Sequence, residues 1–148
     1  MTALIVSKKI QDLKLGANGE EKVLEILNKK FKSCVKKYHS KYCEMDYYIQ
    51  NQKGDVIQEW ELKTRRVNHN QYPSLVFGRN KYEKSLIALK NGVKQTYLFN
   101  CNDGLYYWNF SDEVKQKDEF YFGTICNQRR RDKEHDAVFI KTQYLTLF

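Results

Sequence analysis

The sequence predicts a mixed α/β domain, and three observations carry that expectation. A helical stretch precedes two strand-like runs joined by a glycine turn; a second helical stretch follows them; two more strand-like runs then flank Asn102-Asp103-Gly104. At 148 residues the chain is long enough to bury one core and too short for two. With 41% hydrophobic and 14% aromatic residues it reads as folded rather than disordered.

Each element has its own signature. In GANGEEKVLEILNKKF, Val23, Leu24, Leu27 and Phe31 fall on one helical face. Asn18 suits the N-cap, and Glu20 and Glu21 suit the positive end of the helix dipole. EMDYYIQ and VIQEWELKT then read as a hairpin around Gly54. A loop rich in Asn, His and Pro, Val67–Ser74, leads to GRNKYEKSLIALKNG, where Tyr82, Leu86 and Leu89 form a buried stripe and Gly92 a stop. VKQTYLFNC and GLYYWNF form a second hairpin across NDG. The tail is charged and loop-rich, with a short strand at Phe120–Ile125 and a final strand in AVFIKTQYLTLF. The expected order is α-β-β-(β)-α-β-β plus a C-terminal addition.

Composition narrows the function classes. No apolar run approaches the ~18–20 residues of a membrane helix, and MTALIVSKKI lacks the basic start and cleavage site of a secretion signal. An intracellular protein without membrane partners is expected. Cys34, Cys43, Cys101 and Cys126 show no CxxC pair; Cys34, His39 and Cys43 come nearest to a zinc cluster, and reduced, partly buried thiols are the better reading. Lys and Arg total 26 against 18 Asp and Glu, a net charge of +8, which favours a polyanionic partner.

The chemistry concentrates in QEWELKTRR, residues 58–66. Alternate residues of a strand share a face, so Glu59, Glu61 and Lys63 stand opposite Trp60 and Leu62. Such a strand is either a solvated edge or the inside of a catalytic site. Asp46 precedes Glu61 by fourteen intervening residues, and folding about Gly54 brings the two acids together on adjacent strands. Lys63 lies about 7 Å along the same face at ~3.3 Å per residue. Two carboxylates at one point repel unless a cation separates them, and Mg²⁺ is commonly held by one or two carboxylates. A lysine there can orient the attacking water or stabilise the phosphate, so D…ExK has the parts needed for phosphodiester hydrolysis.

Asp46 followed by Glu61-Leu62-Lys63 resembles the signature of the PD-(D/E)xK nuclease superfamily. GANGEEKVLEIL likewise resembles the G-x-x-x-E helix of archaeal-type Holliday-junction resolvases and related small nucleases. The likeness spans about Gly16 to Phe110, with Met45 where proline is usual, and leaves about 111–148 as an extension of a single nuclease-like domain. It implies a restriction-endonuclease-like αβββαβ core, a central mixed sheet flanked by helices. It also implies a Mg²⁺ site, Mn²⁺ substituting, built from Asp46, Glu61, the Leu62 carbonyl and Glu20, with Lys63 serving the attacking water. The implied activity is an endonuclease, DNA ahead of RNA, and a junction-resolving enzyme of this kind would be a homodimer.

Arg65 and Arg66 continue the catalytic strand, so one of them should point toward nucleic acid. Arg79, Lys81 and Lys84 on the second helix and Arg129, Arg130 and Arg131 in QRRRDKE are the other candidate backbone contacts, each weighed against a solvated charge. Glu20 is preferred to Glu21 by helix phase. Glu59 has no assigned task and reads as an exposed strand glutamate, and His69 is the one histidine placed to matter. The rival reading is a basic nucleic-acid-binding module that uses the same scaffold without cutting; a third is an interaction protein with no metal.

Overall fold

Asn51 organises the first hairpin. Its side-chain Oδ1 accepts the N–H groups of Lys53 and Asp55, its own N–H donates to Asp55 O at 2.8 Å, and Gly54 takes φ +87°, where a Cβ would be strained. The computed structural model describes residues 19–32, 34–39, 45–126 and 134–148, so the proposed Asn18 cap lies outside the described residues. Helix α1 covers 19–30, and strands β1 (Lys36–Lys37), β2 (Tyr47–Gln50), β3 (Val56–Thr64) and β4 (Ser74–Gly78) follow. Helix α2 (Arg79–Lys90) leads to β5 (Lys94–Cys101), β6 (Gly104–Phe110), β7 (Phe120–Cys126) and β8 (Glu134–Lys141). A 3₁₀ turn (Thr142–Tyr144) and β9 (Thr146–Leu147) complete the order.

The strands form a six-stranded sheet, β1-β2-β3-β5-β6-β9, and a three-stranded sheet, β4-β8-β7. Among the described strands only β3 and β5 run parallel, with Glu61 beside Tyr97 and Lys63 beside Phe99; the other pairs are antiparallel. The parallel pair needs a long crossover, which β4 and α2 supply. β3 therefore lies inside the sheet, and the solvated-edge reading of QEWELKTRR is excluded. β5 is buried over Gln95–Phe99 without alternation, as expected of a strand covered on both faces.

Two cores follow from the strand parity. On one face α1 lays Val23 and Leu27 over Tyr47, Trp60 and Leu98, and Phe31 meets Trp60 edge-on at 5.3 Å. On the other face Tyr97, Phe99, Trp108 and Phe110 pack against Leu75 and Phe77 of β4, Tyr82 of α2, Phe120 of β7 and Val138 and Ile140 of β8. α2 ends in a Schellman turn: Val93 N–H donates to Ala88 O and Gly92 N–H to Leu89 O, with Gly92 at φ +81°.

The mixed α/β class and the mixed sheet are as expected, with three corrections. The third strand, β4, joins the second sheet rather than the central one, because its partner β8 lies some sixty residues later. The face expected to carry a helix alone is covered by α2 together with that second sheet. The single final strand divides in two: β8 and β9 belong to different sheets, and the 3₁₀ turn carries the chain between them. Among the described residues no helix is long and apolar enough to cross a membrane.

Candidate active site

The β2–β3 register sets the site. Tyr47 pairs with Trp60, so the preceding residue, Asp46, falls beside Glu61. Asp46 N–H donates to Trp60 O at 2.9 Å, and Asp46 Oδ2 accepts Leu62 N–H at 2.7 Å. The carboxylate is thereby aimed along the β3 backbone, and its other oxygen has no hydrogen bond among the described residues. The sequence placed the two acids together, and the structure does so through this backbone contact.

Glu61 is only 4% exposed. Its Oε1 receives Lys63 Nζ at 3.2 Å and Lys81 Nζ at 3.6 Å, while its Oε2 is buried with no hydrogen-bond partner among the described residues. An unsatisfied buried carboxylate oxygen costs about 1–3 kcal/mol or more, a deficit that a bound cation or a water would relieve. Burial and then the nearby Asp46 charge push the Glu61 carboxyl up to about 7, against the opposing pull of Lys63 and Lys81. A buried acid whose proton affinity is raised by burial and by a neighbouring carboxylate is an arrangement a cation relieves.

Glu59, on the same face, is different. Its Oε2 accepts the Tyr38 hydroxyl at 2.5 Å and its Oε1 accepts Gln95 Nε2 at 2.9 Å. Gln95 in turn accepts Ser85 Oγ at 2.9 Å, and Ser85 Oγ meets Tyr97 OH at 2.5 Å. The expected exposed glutamate is thus a member of a hydrogen-bonded network that docks α2 on the sheet. Of the two β3 acids, only Glu61 keeps an unspent oxygen. Ser85→Ala should leave Gln95 and Tyr97 short of a buried partner and cost about 1–3 kcal/mol, read from the midpoint of urea unfolding. An unchanged midpoint would show that Ser85 is not the link between helix and sheet.

Lys81 was left between a solvated face and a phosphate contact, but it reaches Glu61 instead. The signal was in the sequence: Lys81 and Ser85 are spaced i,i+4, and a buried serine within an apolar stripe betrays a helix face turned to polar groups. Glu20 stands apart from the pair. Its carboxylate is in an ion pair with Lys37 of β1, while its backbone oxygen accepts the Tyr47 hydroxyl at 2.7 Å. The hydroxyl of Tyr47 is held protonated by burial and then by the charges of Glu20 and Asp46. Among the described residues no group of three or more His, Cys, Asp or Glu is arranged to hold a metal, so Glu20 is not gathered with Asp46 and Glu61.

The proposed backbone contacts divide. Arg65 is turned inward: its guanidinium donates to Val76 O at 2.9 Å and to Thr64 O at 3.1 Å, bracing β3 against β4. Arg66 is exposed, as is Lys84. Arg79 lies over the Phe122 ring at 4.3 Å and near Glu83 at 3.6 Å. Arg129, Arg130 and Arg131 lie outside the described residues, as does Cys43 of the discarded zinc cluster. His69 joins Asp103 at 2.5 Å and stacks on Tyr106 at 4.0 Å, tying the loop after β3 to the β5–β6 turn and holding the Asp103 carboxyl below its usual range. Comparison with protein-family models, curated proteins and solved structures finds no match to this chain.

Proposed function

We propose that this chain is a Mg²⁺-dependent nuclease that hydrolyses phosphodiester bonds in nucleic acid, DNA ahead of RNA, on a restriction-endonuclease-like core. The observation that supports it most is the buried, partnerless Glu61 Oε2 beside the oriented Asp46 carboxylate. Their donor set fits a hard divalent cation, since Mg²⁺ takes one or two carboxylates and keeps several waters. A bound cation of this kind supplies Lewis-acid polarisation of the phosphoryl group and offsets its growing negative charge. The chain's own residues do the rest. Asp46 and Glu61 form the anionic seat, and the Leu62 N–H fixes the aim of Asp46. The Leu62 carbonyl on the same strand is a further oxygen donor in this reading.

Lys63 and Lys81 bracket Glu61 with side chains 26% and 21% exposed, close to the acids yet open to substrate. In this reading Lys63 orients and helps deprotonate the attacking water. Lys81 holds the scissile phosphate and balances charge in the transition state. Glu20, paired with Lys37, is left an auxiliary role through water. The +8 net charge supplies the long-range attraction for a polyphosphate backbone.

Supercoiled and branched DNA incubated with Mg²⁺ or Mn²⁺ tests the reading. Wild type should cut in the presence of metal and stop on chelation. Lys63→Met should lose about 100-fold or more in rate, within the range for removal of a general acid–base group. Lys81→Met should lose about tenfold, mainly in kcat/KM. Binding without cutting, unchanged by either substitution, would leave a non-catalytic nucleic-acid-binding module and sink the enzyme.

A further inference from the structure

The opposite face of the large sheet carries a pocket, of about 240 Å³, that takes no part in the proposed chemistry. Its residues come from four places: Lys30 and Phe31 at the end of α1, Gln58 and Trp60 on β3, Lys94 and Thr96 on β5, and Tyr107, Asn109 and Phe148 beyond them. The register makes this a designed face: Trp60 lies beside Thr96, Thr96 beside Asn109, and Gln58 beside Lys94. Asp46, Glu61 and Lys63 point to the other side of the same sheet.

Three kinds of group meet here. Phe31, edge to face at 5.3 Å with the buried Trp60 behind it, makes one aromatic wall, and Tyr107 and Phe148 at 5.8 Å make a second. Between them a polar row crosses three strands. Gln58 Nε2 donates to Thr96 Oγ1 at 3.3 Å, and Thr96 Oγ1 donates to Asn109 Oδ1 at 2.7 Å. Thr96 is 2% exposed and fully used, which leaves Gln58 Oε1 as an acceptor and the Asn109 amide as a donor toward the pocket. At the mouth stand Lys30 and Lys94. Lys30 Nζ lies 4.8 Å from the Phe148 ring centre and 5.7 Å from that of Tyr107, and neither lysine has a carboxylate partner among the described residues.

We propose that this pocket binds a single nucleotide unit, its base between the aromatic walls and its phosphate between Lys30 and Lys94. Aromatic faces stack on any base, amide donors and acceptors read the base edge, and unneutralised lysines take the phosphate. The pocket is smaller than the ~300–1,000 Å³ of sites for drug-sized ligands, which limits the occupant to one planar ring system. A free nucleotide and an unpaired nucleotide of a strand share this chemistry. The proposal stands independently of the nuclease reading, because it uses none of that site's residues.

The test uses the full chain in EDTA, so that no cleavage or metal binding contributes. The two tryptophan indole N–H signals are followed by NMR during titration with adenosine 5′-monophosphate, adenosine, ribose 5-phosphate or a short single-stranded oligonucleotide. Trp60 lies in the pocket wall, while Trp108 sits in the other core with its indole N–H on Glu119 Oε1 at 3.0 Å, an internal control. Adenosine 5′-monophosphate should shift the Trp60 signal saturably and leave Trp108 in place, with adenosine and ribose 5-phosphate each at least tenfold weaker. Lys94→Glu and Asn109→Leu, both at exposed positions, should each weaken binding about tenfold or more, and Glu61→Gln should leave it unchanged. A response to the oligonucleotide alone identifies the strand as the source of the nucleotide. No Trp60 shift with either probe, or equal shifts of both tryptophans, overturns the proposal.

Discussion

Glu61→Gln should abolish metal-dependent cleavage and at the same time make the protein more stable at pH 8. The carboxyl keeps its proton in the folded protein up to about 7, whereas its ordinary value is 4.5. Between those pH values the folded state holds a proton that the unfolded chain has released. Stability therefore falls as pH rises from about 4.5 through about 7 and is level above. The separation between 4.5 and about 7, at about 1.4 kcal/mol per pH unit, puts the loss at roughly 3 kcal/mol. Glutamine mimics the protonated acid and keeps an oxygen for Lys63 and Lys81, so it does not strand those lysines. The variant should gain roughly 2–3 kcal/mol at pH 8, about 5–10 °C in Tm, and nothing near pH 4.5.

Calorimetry of the two proteins across pH 4.5–8 checks the sign directly. Adding Mg²⁺ at pH 8 should raise the Tm of wild type and not that of Glu61→Gln, because a cation that binds only the folded site adds stability by mass action. A variant less stable than wild type at pH 8, or a pH-independent difference between them, would mean that the Lys63 and Lys81 pairing outweighs burial. The idea that the site is built with a deficit for a cation to fill would then fail. Activity lost together with stability gained is the expected signature of a functional acid held where folding alone would not put it.

Removing residues 111–148 should unfold the chain rather than free a smaller nuclease core. Phe120, Val138 and Ile140 share one cluster with Tyr97, Phe99, Trp108 and Phe110. At ~1.5–3 kcal/mol for each large apolar side chain buried, those three alone contribute ~5–9 kcal/mol. That is comparable with the whole ~5–15 kcal/mol stability of an ordinary domain. The same deletion strips β6 of its β9 neighbour and Trp108 of its Glu119 partner. Circular dichroism of residues 1–110 should show no cooperative thermal transition. A sharp melt together with metal-dependent cleavage by that fragment would show that the core folds and acts without the extension.

The hairpin and its acids were legible because every determinant is local. Asn51 and Gly54 set the turn, the turn sets the β2–β3 register, and a two-residue period then puts Asp46, Glu61 and Lys63 on one face. The two helices were legible for a similar reason, since their apolar stripes repeat within a few residues and Gly92 closes α2. The rest depended on residues far apart in the chain. β4 gave no hint of its partner because antiparallel pairing with β8 is decided by a match of buried faces across more than sixty residues. Arg65 looked like a phosphate contact until Val76 O was found within its reach. Glu59 looked exposed until Gln95 and Tyr38 closed over it.

By itself, then, the sequence determined the local frame: a mixed α/β chain, a turn at Gly54, and two acids and a lysine on one strand face opposite Trp60. Only the tertiary structure decided which of those charges were spent. It satisfied both oxygens of Glu59, brought Lys81 from another element onto Glu61, set Glu20 against Lys37, and left one buried oxygen of Glu61 with no partner among the described residues. The reason is physical. Periodicity reports the direction in which a side chain leaves the backbone, whereas its charge state and spare hydrogen-bonding capacity depend on what the rest of the chain packs against it.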